Sequence, residues 1–213
     1  MPSGAVLTFS LNVVSAIVAL LTSYYAFKVS ALVKNSVLRG ISIGFMLLGV
    51  GLAVDAGTSL VTGKLLVEFP SERALVLLAS FTYLAVQMVA YLVIAVGYAR
   101  ATYWSRAYAA APLVLAGAAA QGLYGFSLLS YFVALVLLAF VVFQGFLLHS
   151  GKQHGFSGTV LLAFVLILVA HFILLLSVLT IGTGLYLIGT GVQFLGFLSL
   201  LIFVVRSEVV GPR

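Results

Sequence analysis

Residues 158–180 read GTVLLAFVLILVAHFILLLSVLT, a nearly unbroken apolar run with a single histidine past its middle. A helix that crosses the hydrocarbon core of a bilayer needs about 20 consecutive, mostly apolar residues. This run meets that requirement, and six other stretches are similar to it. We therefore predict an all-α membrane protein with seven transmembrane helices, at about 5–27, 38–62, 74–98, 107–123, 127–148, 158–180 and 183–205.

The composition of the 213 residues agrees with a membrane protein. Apolar residues make up 64% of the chain and charged residues only 7%, whereas a soluble domain carries about 25% charged residues. These values exclude a water-soluble enzyme, a disordered chain and a nucleic-acid partner. The absence of cysteine excludes disulfides and thiolate metal sites. Because the connections between the spans are short, we expect one transmembrane domain over residues 1–213, without enzymatic activity.

Lysine and arginine residues predict the orientation of the bundle, because short loops rich in these residues stay in the cytoplasm. Only Lys64 and Arg73 fall on one side of the predicted membrane. Eight fall on the other side: Lys28, Lys34, Arg39, Arg100, Arg106, Lys152, Arg206 and Arg213. We therefore expect a multi-pass protein of the cell membrane with its N-terminus outside and its C-terminus in the cytoplasm. The lipid bilayer is its first partner.

The first three predicted spans are similar to the last three. VQMVAYLVIAVGYAR (86–100) aligns with VQFLGFLSLLIFVVR (192–206), and SAIVALL (15–21) aligns with SYFVALV (130–136). SIGFMLLGVGLAVD (42–55) aligns with GTVLLAFVLILVAH (158–171), which sets Asp55 opposite His171. We therefore predict a 3+1+3 duplication, with repeats at about 5–100 and 127–206 and a linker helix at about 107–123. Two halves in the same orientation are related by an axis along the membrane normal.

The predicted layout resembles that of SWEET sugar transporters in architecture, although not in sequence. Their repeats carry prolines inside the helices, whereas the prolines here lie outside the first and last three spans, at Pro2, Pro70, Pro112 and Pro212. The segments SYYAFK (23–28) and LRGISIGFMLLGVG (38–51) are similar to segments of uncharacterised polytopic membrane proteins of archaea. Neither resemblance implies an activity, because one fold hosts many functions.

Four polar residues are predicted to lie at one depth inside the membrane. Gln87 lies thirteen residues before Arg100, and Gln193 lies thirteen residues before Arg206. At a rise of 1.5 Å per residue, each distance is roughly 20 Å. Asp55 and His171 lie about sixteen residues from the same side, or roughly 24 Å. Gln144 lies nearer the end of its span and is expected to reach the headgroups.

Polar groups at such depth are costly and usually face the interior of the bundle. We therefore predict a ligand or proton site on the pseudo-twofold axis, formed by Asp55, Gln87, His171 and Gln193. If Asp55 and His171 meet, their titrations are coupled. The alternative role for the two glutamines is a structural clamp that hydrogen-bonds between helices.

These features leave three functions open. The leading one is a non-enzymatic carrier or receptor for a small-molecule ligand, or a proton-linked carrier, with no cofactor and no metal. The second is a membrane anchor subunit of a respiratory or envelope complex, with partner subunits or a homo-oligomer covering its lateral faces. The third is a haem or quinone redox subunit, with His171 and Met46 or Met88 as axial ligands of a haem.

Overall fold

A computed structural model describes residues 3–65, 73–101, 122–150, 158–180 and 182–210. Apart from Lys34, Asn35 and Gly182, these residues are helical, and none of them forms a strand. The six helices are α1 (Ser3–Val33), α2 (Ser36–Leu65), α3 (Arg73–Ala101), α4 (Gly122–Ser150), α5 (Gly158–Thr180) and α6 (Thr183–Val210). Each contains a stretch of 22 to 25 residues that is apolar enough to cross a membrane. Apolar runs of this length form helices because a helix satisfies its backbone hydrogen bonds internally.

The prediction of seven transmembrane helices is not supported, since six helices of spanning length lie within the described part of the chain. Residues 107–121 of the fourth predicted span lie outside the described residues. Gly122 and Leu123, its last two residues, instead begin α4. The other six predicted spans correspond to α1–α6; α5 has the predicted bounds, and the other five helices extend past the predicted ends. The helix α1, for example, continues from residue 27 to Val33, because KVSALV (28–33) is still mostly apolar and belongs to the spanning stretch Phe9–Val33.

A two-residue turn joins α1 to α2. The backbone of Lys34 has a φ of 50°, in the left-handed region that ends a helix and reverses the chain. The Asn35 Oδ1 atom then accepts hydrogen bonds from the backbone N–H groups of Val37, at 2.8 Å, and Leu38, at 3.4 Å. This is an N-cap, which satisfies backbone donors that the first turn of a helix leaves unpaired. The turn therefore makes α1 and α2 antiparallel neighbours.

The six helices form a closed ring. Each helix contacts its neighbours in chain order, and α6 contacts α1. Small residues permit the closest approaches between helices. A Cβ on Gly40 would lie 3.0 Å from the Gly97 Cα, and one on Gly196 would lie 3.1 Å from the Ala163 carbonyl oxygen. The pairs α2–α3 and α5–α6 therefore pack backbone against backbone.

Helices from opposite parts of the ring also meet in its middle. Phe45 of α2 and Phe197 of α6 are fully buried and pack edge to face, with ring centroids 5.1 Å apart. Tyr98 of α3 packs in the same way on Phe164 of α5, at 5.6 Å. Aromatic pairs of this geometry stabilise a core beyond their buried area. They fill the half of the bundle in which α1, α3, α4 and α6 end.

The contacts also fix the direction of α4. In α3, Gln87 contacts His171 of α5, whereas Tyr98, further along α3, packs on a residue before His171, so α3 and α5 are antiparallel. In α4, Tyr131 packs on His171, whereas His149 lies beside Gly158 at the start of α5, so α4 and α5 are antiparallel too. The helices α3 and α4 therefore run in the same direction.

Candidate functional site

A buried hydrogen-bonded pair, Gln87 and His171, lies where α3 meets α5. The His171 side chain is 0% exposed, and its Nδ1 lies 2.8 Å from the Ile167 carbonyl oxygen. A carbonyl only accepts, so Nδ1 carries the proton and donates it to Ile167. The other ring nitrogen, Nε2, is then an acceptor, and the Gln87 amide N–H donates to it. The two bonds therefore fix a neutral imidazole with a defined tautomer.

Three buried polar atoms beside this pair make no hydrogen bond with any residue that the structure describes: Gln87 Oε1, the Tyr91 hydroxyl and Gln193 Nε2. The Tyr91 phenol interacts with the side chains of both glutamines, but neither contact meets hydrogen-bond geometry. We call Gln87, Tyr91, His171 and Gln193 the central cluster. An unsatisfied buried polar group costs about 1–3 kcal/mol. The central cluster therefore holds an unused acceptor, an unused donor and a hydroxyl that can serve as either.

Asp55 forms a second pair, nearer the end of the bundle. Its Oδ2 accepts a hydrogen bond from Asn12 Nδ2 at 2.9 Å, and its side chain is half-buried. Asp55 lies three residues before the end of the apolar part of α2 at Thr58, whereas His171 lies nine residues before Thr180. At 1.5 Å per residue these offsets are about 5 Å and about 14 Å. The structure thus places Asp55 about 9 Å closer to that end than His171.

The depth difference has a simple cause. From the sequence, the depth of Asp55 is counted from Arg39 and the depth of His171 from Gly155. In the structure α2 already begins at Ser36 and α5 begins only at Gly158. Asp55 is therefore nineteen residues into its helix and His171 only thirteen, which moves Asp55 outward and His171 inward.

Tyrosines lie near both pairs. The side chains of Tyr83, Tyr131 and Tyr186 lie in the neighbourhood of the Asp55 carboxylate. Tyr131 also packs against the His171 ring, with centroids 6.2 Å apart, and Tyr186 packs against the small buried cluster that contains Tyr131. Asp55 and His171 form no hydrogen bond or ion pair with each other within the described ranges; each has its own partner, Asn12 for Asp55 and Gln87 for His171.

Together these residues form a polar column from the end of the bundle toward its middle. The polar column comprises Asn12, Asp55, Tyr83, Tyr131, Tyr186 and the central cluster, and all six helices contribute to it. The structure therefore brings Gln87, His171 and Gln193 together around Tyr91, with Asp55 at the outer end of the same column.

Asn12 and the tyrosines of the polar column are not among the residues predicted from the sequence. A signal existed for α3, where Tyr83, Gln87 and Tyr91 recur every four residues and so share one helix face. The expectation for Gln144 was wrong: its side chain is 0% exposed and does not reach the headgroups. Both of its amide atoms lack a hydrogen-bond partner among the residues that the structure describes.

The site offers no ready metal or haem ligands among the described residues. No group of three or more His, Cys, Asp or Glu side chains could hold a metal ion there. Both ring nitrogens of His171 are engaged in hydrogen bonds within the protein, so the imidazole would have to leave Gln87 to bind an iron atom. Comparison of the chain with protein-family models, curated proteins and solved structures finds no match. The chemistry of the polar column is therefore the basis for a functional hypothesis.

Proposed function

We propose that this chain is a non-enzymatic carrier or receptor that binds a small polar solute in the polar column. The observation that carries this proposal is the set of unpaired atoms in the central cluster, Gln87 Oε1, the Tyr91 hydroxyl and Gln193 Nε2. Buried polar groups are normally hydrogen-bonded, and exceptions need an explanation. A solute that both donates and accepts hydrogen bonds would satisfy all three atoms and recover their desolvation cost.

Asp55 gives the polar column a charged entrance. It is the only acidic residue inside the predicted spans, and its half-buried carboxylate accepts a hydrogen bond from Asn12. An ionisable residue inside a membrane marks a solute or proton pathway by default. In the proposed mechanism Asp55 attracts a proton or a cationic group of the solute, while the neutral central cluster holds its hydrogen-bonding part.

We further propose the 3+1+3 duplication, in which α1–α3 and α4–α6 are the two repeats. In favour of it, Ser15 and Ala19 of α1 correspond to Ser130 and Ala134 of α4, and all four are buried. The buried Gln87 of α3 corresponds in the same way to Gln193 of α6. The directions of the helices also agree, since α1, α3, α4 and α6 run one way and α2 and α5 the other. The contacts α3–α4 and α6–α1 each join the last helix of one repeat to the first helix of the other, so the two contacts are equivalent in this arrangement.

The buried positions of α2 and α5 suggest a small change to this alignment. Leu52 and Ala56 of α2 are buried with the same spacing as Ile167 and His171 of α5. When these buried residues are aligned, His171 lies opposite Ala56 and not opposite Asp55. The two ionisable residues would then lie on adjacent faces of equivalent helices. This offset is consistent with their separate hydrogen-bond partners, Asn12 and Gln87.

Cysteine labelling tests the proposed topology, since the chain has no cysteine of its own. Because α3 and α4 run in the same direction, Ala101→Cys and Gly125→Cys should react with a membrane-impermeant maleimide from opposite sides. With the N-terminus outside, Lys34→Cys should react from the cytoplasmic side together with Ala101→Cys. Labelling of Ala101→Cys and Gly125→Cys from one side would refute the 3+1+3 arrangement.

A solute screen tests the proposed function. The protein in nanodiscs would be heated with a panel of amides, polyols, sugars and primary amines. A solute at a hundredfold excess over its Kd should stabilise the protein by about 2.7 kcal/mol. The effect should vanish in Gln193→Leu and persist in Gln144→Leu, the matched control for loss of a buried amide. No stabilising solute, or one whose effect survives in Gln193→Leu, would contradict the proposal.

A further inference from the structure

A groove of about 1020 Å³ opens between α1, α2 and α3. It lies at the end of the bundle opposite Asp55 and Asn12, where α1 ends and α2 begins. Its rim carries three cations, Lys34, Arg39 and Arg100, and all three side chains are exposed. None of them forms an ion pair with an acidic residue in the part of the chain that the structure describes.

The cations lie at the depth of lipid headgroups. Lys34 directly follows the apolar part of α1 at Val33, and Arg100 lies one residue before the end of the apolar part of α3 at Ala101. Arg39 is in the first turn of α2, whose apolar part begins at Ser36. The N-terminus of α2 also faces the groove, because Asn35 and Ser36 line it, and a helix N-terminus adds positive potential. The rim therefore favours an anion.

Below the rim, the wall of the groove is apolar. It is formed by Phe27, Ile43, Leu92, Val93 and Val96. Ile43 lies seven residues from Ser36 and Leu92 nine residues from Ala101, which puts them about 10 Å and about 14 Å deep. Gly40 and Gly97, whose backbones touch, form the floor, so no side chain fills it. The groove thus continues from the headgroup level into the hydrocarbon region.

We propose that this groove binds an anionic phospholipid, with the phosphate between Lys34, Arg39 and Arg100 and an acyl chain along the apolar wall. A soluble anion would engage the rim but leave the wall empty. A second copy of the chain in a twofold contact would set the same cations against each other. Basic residues at the membrane surface gain about 1 kcal/mol each from anionic lipid, or about fivefold in affinity.

Native mass spectrometry of the detergent-purified protein tests the groove with two lipids of identical chains, phosphatidylglycerol and phosphatidylcholine. We expect phosphatidylglycerol to bind more tightly. Arg39→Gln and Arg100→Gln together should weaken its binding about 25-fold, at about fivefold for each cation. The control Arg206→Gln, an exposed arginine at the end of α6 that does not line the groove, should change the affinity less than about twofold.

A steric variant keeps the charges and tests the wall. Ile43→Trp should block the acyl chain and weaken phosphatidylglycerol binding, while Ile202→Trp, on an exposed face of α6, should not. Equal affinity for both lipids, or unchanged binding in the double arginine variant or in Ile43→Trp, would overturn the proposal. Displacement of the lipid by millimolar inorganic phosphate would overturn it as well, because the groove would then be a site for a soluble anion.

Discussion

The same substitution at the two glutamines of the central cluster should change stability in opposite directions. Gln87 donates a hydrogen bond to His171, whereas Gln193 Nε2 has no hydrogen-bond partner. We expect Gln193→Leu to stabilise the ligand-free protein and Gln87→Leu to destabilise it. Both residues are almost completely buried, at 4% and 1% exposure, so exposure does not explain a difference between them.

The size of each effect follows from the hydrogen bonds. Gln193→Leu removes an unsatisfied amide that costs about 1–3 kcal/mol and loses a contact with Tyr91 that does not meet hydrogen-bond geometry. A net gain of about 1 kcal/mol results. Gln87→Leu leaves His171 Nε2 without a donor, at a cost of about 1–3 kcal/mol. It also removes the unpaired Oε1, which offsets that cost, so the net loss should be about 0.6 kcal/mol, the average value of one interhelical hydrogen bond in a membrane protein.

The assay is reversible unfolding in mixed micelles of increasing SDS content, followed by circular dichroism. Gln144→Leu is the control for the energetic reasoning, because both amide atoms of Gln144 are buried and unpaired outside the polar column. It should stabilise the protein as Gln193→Leu does. If Gln193→Leu destabilises the protein as much as Gln87→Leu, both glutamines are structural clamps, and the argument for a ligand site is refuted.

Two further expectations concern Asp55 and the helix contacts. Asp55→Asn keeps an oxygen acceptor for Asn12 and should change the free energy of unfolding by less than about 1 kcal/mol, the net contribution of one hydrogen bond. It should nevertheless abolish stabilisation by the solute found in the screen, and an unchanged solute response would remove Asp55 from the site. Gly40→Ala should cost about 1–3 kcal/mol through overpacking, because its Cβ would lie 3.0 Å from the Gly97 Cα. Gly57→Ala in the same helix meets open space and should gain up to about 1 kcal/mol, so equal unfolding midpoints for the two variants would contradict the packing described.

The membrane fold was predictable from the sequence because it depends on composition over long windows. Runs such as 158–180 have one stable conformation in a bilayer, and the predicted span there coincides with α5. The count of spans depended instead on the alanine-rich stretch 107–123, where apolar character alone does not distinguish a separate helix from the start of another. The structure assigns its last residues, Gly122 and Leu123, to α4.

The site was predictable in part. Gln87, Gln193 and His171 stand out because polar residues in apolar spans face the interior of a bundle, and the structure places them around Tyr91. The tyrosines were not predictable in the same way, since tyrosine in a membrane protein is typical of the interface. The depth of Asp55 relative to His171 depends on the first residues of α2 and α5. The helix α2 begins after the cap at Asn35, and α5 begins at Gly158.

The most direct measurement of ligand binding in the polar column is an NMR titration of the side-chain amides. Glutamine labelled with ¹⁵N would be incorporated into the protein in nanodiscs, and the signals of Gln87, Gln144 and Gln193 assigned with their Gln→Leu variants. On addition of the stabilising solute, we expect the amide signals of Gln87 and Gln193 to shift and that of Gln144 to stay in place. Unchanged signals for Gln87 and Gln193 at saturating solute would contradict a binding site at the central cluster.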